Sequence, residues 1–167
     1  MTHHASSVQA SGENPDRQGS GARGMAPYQA YECSDGWLVV AAPNDRLFAK
    51  LSHVLGHPEW PDDPRFASNQ ERYRNLAELN AGIAPILATR TRDQWREVLE
   101  EAGIPSAPVR TTLEMMAEPQ TRALGMLQRL DPDRPELMGV PLSFDGERPP
   151  MHRDAPLLGE HNDEVKS

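Results

Sequence analysis

The chain has 167 residues, a net charge of -8 and 37% hydrophobic residues, which is enough for one modest domain with exposed arms. The acidic balance argues against a nucleic-acid-binding surface, because phosphate binding needs clustered Lys and Arg. No apolar run approaches the roughly 20 residues that span a bilayer, and the N-terminus lacks the apolar segment of a secretory signal. The single cysteine excludes an intramolecular disulfide and fits a reducing compartment. We therefore expect a cytoplasmic protein that binds neither nucleic acid nor membrane.

The first 24 residues are punctuated by Gly, Ser, Asn and Pro and have almost nothing to bury, which predicts a mobile segment. Residues 27–33 then alternate as a β-strand, and Asp35-Gly36 favours a turn because both residues tolerate positive φ. Residues 37–41 form a second strand that is apolar on both sides. A strand without a polar side is typical of a sheet that is covered on both faces. The sequence therefore predicts a β-hairpin with two buried faces.

Helices are predicted next, from capping residues and from apolar side chains at helical spacing. Asn44 can cap a helix over residues 45–55. Ser68 begins a capping box for a longer helix, in which Gly82 and Pro85 interrupt the pattern. Because proline removes a backbone donor from the helix interior, we expect a kink or an early end at this point.

The second half of the chain carries shorter elements. Thr91 and Thr111 each begin a capping box that predicts a short helix. Residues 126–130 and 139–144 are candidate strands joined by a turn-rich stretch, and the proline-rich tail reads as extended. Together these signals predict an α+β fold, in which a β-hairpin and a short sheet pack on three to five helices and are flanked by extended arms.

Five stretches, taken in chain order, resemble the family III CoA-transferases, which include carnitine, formyl and bile-acid CoA-transferases and the α-methylacyl-CoA racemases. The resemblance extends from about Gln9 to Val165 without large gaps. The stretches that carry it are "SGENPDRQGSGARGMAPYQAYECSDGWLVVAAPNDRLFAKL", "DDPRFASNQERYRNLAEL", "EEAGIPSAPV", "EPQTRALGM" and "APLLGEHNDEV".

The resemblance covers only part of a family member. In the family, a large Rossmann-like domain comes first, carries the catalytic Asp and holds most of the CoA-binding surface. The resemblance therefore implies that residues 1–26 are a flexible interdomain connector, that residues 27–144 are the small domain, and that residues 145–167 are an extended, truncated C-terminal return segment. On this resemblance, we expect the large domain and its nucleophile to lie outside this sequence.

The implied reaction is the transfer of CoA between an acyl-CoA and a free carboxylic acid, with a separate large domain needed for catalysis. The coenzyme A thioester is a substrate in the full family, and no cofactor is expected to bind this chain alone. A large-domain partner or a homodimer is expected, since family members form interlocked homodimers. Two alternatives stay open: a fragment of a racemase acting α to the thioester, and a non-catalytic binding or oligomerisation remnant.

The candidate substrate loop is the glycine-rich stretch that contains Gly19, Gly21 and Gly24. It is similar to the connector that, in some formyl-CoA transferases, is a flexible loop over the acyl thioester. Glycine allows close backbone approach and positive φ, so such a loop can close and exclude water. This sequence has Ala22 where many relatives have His, and it lacks the full run of glycines. A plain flexible linker is the alternative interpretation.

The remaining candidates are interpreted as structural, and no catalytic residue is assigned. Asp35 lies in turn chemistry, and Cys33 has no recognisable His and acid beside it and is interpreted as a small strand residue. Glu160 and His161 could form a base-acid dyad, but in the resembling motif they make a chain-return contact. The histidines are scattered and no Cys or His spacing resembles a zinc site, so no metal is expected.

Overall fold

The computed structural model describes residues 2–14 and 16–165. Its contacts divide the chain into two compact units, the first ending at Val109 and the second beginning at Arg110. The first unit combines helices with a three-stranded sheet, and the second combines short helices with a two-stranded sheet. The predicted α+β class is confirmed.

The sheet of the first unit is built on the predicted hairpin. Strands β1 (Tyr28–Cys33) and β2 (Gly36–Ala41) are antiparallel, and Cys33 pairs with Gly36 across the turn. Strand β3 (Ser106–Pro108) pairs antiparallel with the other edge of β2. Gly36 has a φ of 145°, a backbone conformation that residues other than glycine rarely adopt.

Three helices of the first unit begin at the capping residues expected from the sequence. Asn44, Ser68 and Thr91 each accept a hydrogen bond from a backbone N–H in the first turn of the helix that follows. The helices of this unit are α1 (Thr2–Ser11), α2 (Asp45–Val54), a 3-10 turn (Trp60–Asp62), α3 (Asn69–Arg74), α4 (Leu76–Leu87) and α5 (Arg92–Glu101).

One face of the sheet and the inner faces of α2, α4 and α5 form the core. Leu38 and Val40 of β2 are fully buried, as are Phe48 of α2, Ile83 of α4 and Leu99 of α5. Burying such a side chain contributes roughly 1.5–3 kcal/mol relative to leaving it exposed. The first unit therefore has the apolar burial that a folded domain needs.

The prediction that both faces of β2 are covered is wrong for this chain. Leu38 and Val40 point into the core, whereas Trp37 is 49% exposed and Val39 is only partly buried. Alternation separates the two sets of side chains, but it does not say how many faces are covered. The face that carries Trp37 and Val39 also presents Tyr28, which is exposed, and we call it the open sheet face.

Three helical details also differ from the sequence-based expectations. Helix α1 lies in the N-terminal segment, where no regular element is predicted, and the mobility of that segment stays a prediction. The long helix predicted from Ser68 is divided at Asn75. Pro85 lies inside α4, which continues to Leu87, so the helix does not end early there, and the kink stays a prediction. Buried Ile83 and Leu87 flank this proline, so core packing offsets the loss of one backbone hydrogen bond.

The second unit is made of short elements. Thr111 caps α6 with the expected capping box, and the strand predicted at 126–130 is confirmed in shortened form. The prediction of a strand at 139–144 is wrong. The strand that pairs with Leu127 and Gln128 is Leu137–Met138, just before that range. The elements are α6 (Thr112–Ala117), α7 (Pro119–Ala123), β4 (Leu127–Gln128), β5 (Leu137–Met138) and α8 (Asn162–Val165).

Candidate functional site

The candidate substrate loop is a turn-rich stretch, which we call the glycine segment (residues 18–26). Gly19 and Gly24 have φ values of 58° and 77°, in the left-handed region that favours glycine. Gly21 has a different requirement, because a Cβ there would lie 3.1 Å from the Gln18 carbonyl oxygen. Each of the three predicted glycines therefore stands where another residue would strain or crowd the backbone.

The glycine segment folds back onto the start of β1. The Ala22 N–H donates to the Tyr28 carbonyl at 3.1 Å, and the Ala30 N–H donates to Ser20 Oγ at 3.0 Å. These bonds occupy groups on both sides of the turn. The segment is thus attached to the sheet while its tip stays at the surface.

A cleft of about 830 Å³ lies against this segment. Gly19 and Gly21 line it, whereas Gly24 does not, although its neighbours Arg23 and Met25 do. The lining residues are His4, Ser7, Asp16, Gln18, Gly19, Ser20, Gly21, Ala22, Arg23, Met25 and Tyr28. Two of the three predicted loop residues are therefore brought to the surface of one cavity.

The cleft has little of the chemistry that a complete active site needs. Within the described ranges its carboxylate is Asp16, which is exposed, as is the Arg23 side chain. Nucleophilic and electrostatic catalysis depend on groups held in a water-excluded site. The arrangement supplies one wall for a ligand, and a catalytic carboxylate would have to come from elsewhere.

Sequence reasoning missed the polar side of α3, which holds the base of the glycine segment. Asn69 Nδ2 donates to the Gly24 carbonyl at 2.8 Å, and its Oδ1 accepts from the Ala26 N–H at 2.9 Å. Arg72 is fully buried and its Nε donates to the Ala26 carbonyl at 2.8 Å. The signal in the sequence is a pair of polar residues three apart on a capped helix, a pattern that by itself indicates only the start of that helix.

Asp35 has a structural role in the hairpin turn. Its Oδ1 accepts from the Arg92 N–H at 2.7 Å, at the first residue of α5, and Oδ2 lies 3.4 Å from Arg92 Nε. A carboxylate at a helix N-terminus is stabilised by the unpaired N–H groups and by the helix dipole. Asp35 therefore joins the hairpin to α5, as its turn context indicated.

Cys33 is buried at the end of β1. Burial raises the pKa of its thiol, with a smaller contribution in the same direction from Asp35 and an opposing one from Arg92. A thiol with a raised pKa is a poor nucleophile, because the thiolate is the reactive form. This supports the interpretation of Cys33 as a packed strand residue.

Glu160 and His161 lie in the second unit, beside a charged cleft of about 390 Å³ that also includes Arg134 and Arg153. Glu160 Oε2 accepts from the Leu157 N–H at 2.6 Å, which closes a local turn. The carboxylate is thus used in holding the chain conformation. No group of His, Cys, Asp and Glu side chains suited to a metal ion occurs among residues 2–14 and 16–165.

No helix in the described part of the chain is long and apolar enough to cross a membrane.

Comparison with known proteins identifies clear relatives. Residues 1–162 match the family model described as CoA-transferase family III. Acetyl-CoA:oxalate CoA-transferase from Acetobacter aceti is 34% identical over 90% of this chain and 39% of that protein. Succinyl-CoA–D-citramalate CoA-transferase from Chloroflexus aurantiacus is 32% identical over 94% of this chain and 40% of that protein.

The fold has a matching solved structure. A CAIB/BAIF family protein from Brucella suis superposes with a TM-score of 0.84 and 34% identity, covering 98% of this chain and 43% of that one. The chain spans about two-fifths of the length of the relatives it matches.

Proposed function

The chain belongs to CoA-transferase family III, and from this premise we propose that it forms part of an acyl-CoA:carboxylate CoA-transferase. In the proposed reaction the thioester bond of an acyl-CoA is broken and a new one is formed on an acceptor carboxylate. The first acyl group leaves as its free acid, so CoA is conserved. Relatives named for transfer from acetyl-CoA to oxalate and from succinyl-CoA to D-citramalate support this class of reaction.

The domain assignment is part of the proposal. Residues 1–26 connect to a large catalytic domain, residues 27–144 are the small domain, and residues 145–167 are the C-terminal return segment. The chain's coverage of two-fifths of its relatives supports a partial role. The proposed compartment is the cytoplasm, where a single buried cysteine stays reduced.

The observation that carries the proposal is the glycine segment beside its cleft. Gly19 and Gly21 line the cavity, and the segment's tip is exposed. A thioester that is being transferred must be protected from water, because hydrolysis competes with transfer. Small residues let a loop approach the acyl group closely and exclude solvent. In the proposed function this segment covers the acyl thioester.

A large-domain partner, in a homodimer of complete subunits, is the proposed source of the nucleophile. The open sheet face supports the need for such a partner, because Trp37, Tyr28 and Val109 expose apolar area on one side of the sheet. Exposed apolar side chains grouped on one face are typical of an interaction surface.

The test is a chimaera in which this chain replaces the matching 39% of the Acetobacter aceti relative. The substrates of the assay are acetyl-CoA and oxalate, and the readout is acetyl-CoA-dependent conversion of oxalate to its CoA thioester. We expect transfer by the chimaera and none by the isolated chain. Turnover by the isolated chain would contradict the assignment of catalysis to the large domain. In a parallel assay with a 2-methylacyl-CoA, whose α-carbon is a stereocentre, racemisation without transfer would replace the proposed reaction by its alternative.

A matched glycine pair tests the proposed role of the segment. Gly19 and Gly12 both have left-handed backbones with open space around the position of a Cβ, so Gly→Ala strains each by about 1 kcal/mol. Of these two glycines, Gly19 lines the cleft and Gly12 does not. Gly19→Ala in the chimaera is expected to lower transfer by about tenfold, with Gly12→Ala close to the parent. Equal effects of the two substitutions would indicate a plain linker.

A further inference from the structure

We propose that α3 positions the glycine segment, with Asn69, Arg72 and Tyr73 as positioning residues that act through the loop and not on the substrate. This inference deepens the proposed function and rests on it for its catalytic consequence. Its structural part concerns this chain alone and is tested separately.

Asn69 hydrogen-bonds the backbone on both sides of Met25. Its side-chain amide donates to the Gly24 carbonyl at 2.8 Å and accepts from the Ala26 N–H at 2.9 Å. An asparagine side chain can satisfy a donor and an acceptor at once. These two bonds fix the backbone immediately after the left-handed Gly24, at the point where the loop leaves the surface.

Arg72 ties the same point to the core. Its Nε donates to the Ala26 carbonyl at 2.8 Å, and its other nitrogens donate to the Phe66 and Pro43 carbonyls at 3.0 and 2.8 Å. The guanidinium also lies 4.4 Å from the centre of the Phe48 ring. A buried cation is tolerated when its donors are satisfied and held in a fixed geometry. Ala26 is therefore attached to a rigid element.

Tyr73 reaches the other end of the segment. Its hydroxyl lies 3.3 Å from Gln18 Oε1, with the phenol as donor. Positions 69, 72 and 73 are three and four residues apart, so their side chains lie on one side of the helix. One face of α3 thus holds the first and last residues of the glycine segment, and the exposed glycine turns lie between these two attachments.

The consequence is a division of the loop into a base fixed by α3 and an exposed tip, which is attached by two hydrogen bonds to β1. Ala26 is buried, whereas Gly19 and Ser20 are exposed. When the base is fixed, closure of the tip over a ligand occurs at a defined position and costs little ordering. Loosening the base should therefore impair the exclusion of water before it impairs the fold.

The first experiment measures amide hydrogen exchange in the full 167-residue chain carrying Asn69→Ala. The matched control is Asn75→Ala, since Asn75 Nδ2 bonds the Arg65 and Glu71 carbonyls at 3.1 and 3.0 Å and does not touch the loop. We expect exchange at Ala26 to rise by at least about tenfold in Asn69→Ala only. Asn69→Asp keeps an oxygen that accepts from the Ala26 N–H, so this variant should retain the protection of Ala26 from exchange. Unchanged exchange at Ala26 in Asn69→Ala would overturn the proposal.

The second experiment measures, in the chimaera, the ratio of acetyl-CoA hydrolysis to CoA transfer. Asn69→Ala is expected to raise this ratio by about tenfold, while Asn75→Ala leaves it near the parent value. Faster loop exchange with an unchanged ratio would overturn the positioning role. If the parent chimaera shows no transfer, the proposed function fails, and the exchange experiment still decides whether α3 holds the segment.

Discussion

The two units of the chain differ in how far they bury their apolar side chains. The first buries residues such as Leu38, Phe48 and Leu99 completely. In the described part of the second, Thr121 is the one buried side chain, while Leu113, Phe144 and several other apolar residues are more than half exposed. The comparison teaches that a capped helix and a paired strand can form in both units, whereas a dry core forms in one.

The polar contacts of the second unit show what takes the place of a core. Arg122 bonds both carboxylate oxygens of Glu136 at 2.8 Å, and Arg148 Nε donates to the Leu124 carbonyl at 3.1 Å. Exposed pairs of this kind contribute roughly 0–1 kcal/mol each. They order local turns without supplying the apolar burial that drives cooperative folding.

The largest contrast is expected for two phenylalanines. Phe48 is 1% exposed and contacts the Arg72 guanidinium, whereas Phe144 is 66% exposed. Phe48→Ala should lower the free energy of unfolding by about 3–5 kcal/mol through lost burial and a cavity. Phe144→Ala should lower it by less than about 0.5 kcal/mol. Denaturant unfolding of the 167-residue chain measures both, and a cost above about 2 kcal/mol for Phe144→Ala would show that the second unit has a core.

The two faces of β2 repeat this contrast within one strand. Leu38 is fully buried, and its neighbour Val39 is only partly buried on the open sheet face. Leu38→Ala should cost about 2–5 kcal/mol in denaturant unfolding. Val39→Ala should cost less than about 1 kcal/mol in the isolated chain. If both variants lost the same stability, the open sheet face would be covered in solution.

Local signals were the part of this structure that the sequence could predict. The hairpin followed from Asp35-Gly36, and the helix starts followed from Asn44, Thr91 and Thr111. Each of these depends on atoms a few residues apart. The number of covered sheet faces depends on packing between distant residues, which is why the prediction of a covered Trp37 is wrong.

Long-range contacts explain what the sequence could not reveal at the candidate site. Arg72 looks like a surface residue in the sequence, yet its Nε bonds the carbonyl of Ala26, 46 residues earlier. Gly82 looked like a weak point in a helix, but a Cβ there would lie 3.1 Å from the Trp60 ring. Neither of these long-range contacts produces a periodic pattern in the sequence. The glycines of the candidate substrate loop are identifiable from the resemblance, and the helix that holds the segment is not.

The smallest contrast, and the sharpest control, uses one motif that occurs in both units. Thr91 and Thr111 each accept a bond through Oγ1 from the N–H three residues later, at 3.3 and 3.2 Å, and each N–H donates back to the side chain of that residue. Removing the hydroxyl should cost each helix about 1 kcal/mol, and Thr→Ser should restore it. Helix α5 buries Trp95 and Leu99, whereas α6 has no buried residue.

Thr91→Ala should therefore lower the global free energy of unfolding by about 1 kcal/mol. Thr111→Ala should instead speed amide exchange within α6 and leave the global transition unchanged, because opening α6 exposes little core. Equal shifts of the global transition would mean that the two units unfold together, and the distinction between them would then be one of exposure and not of stability.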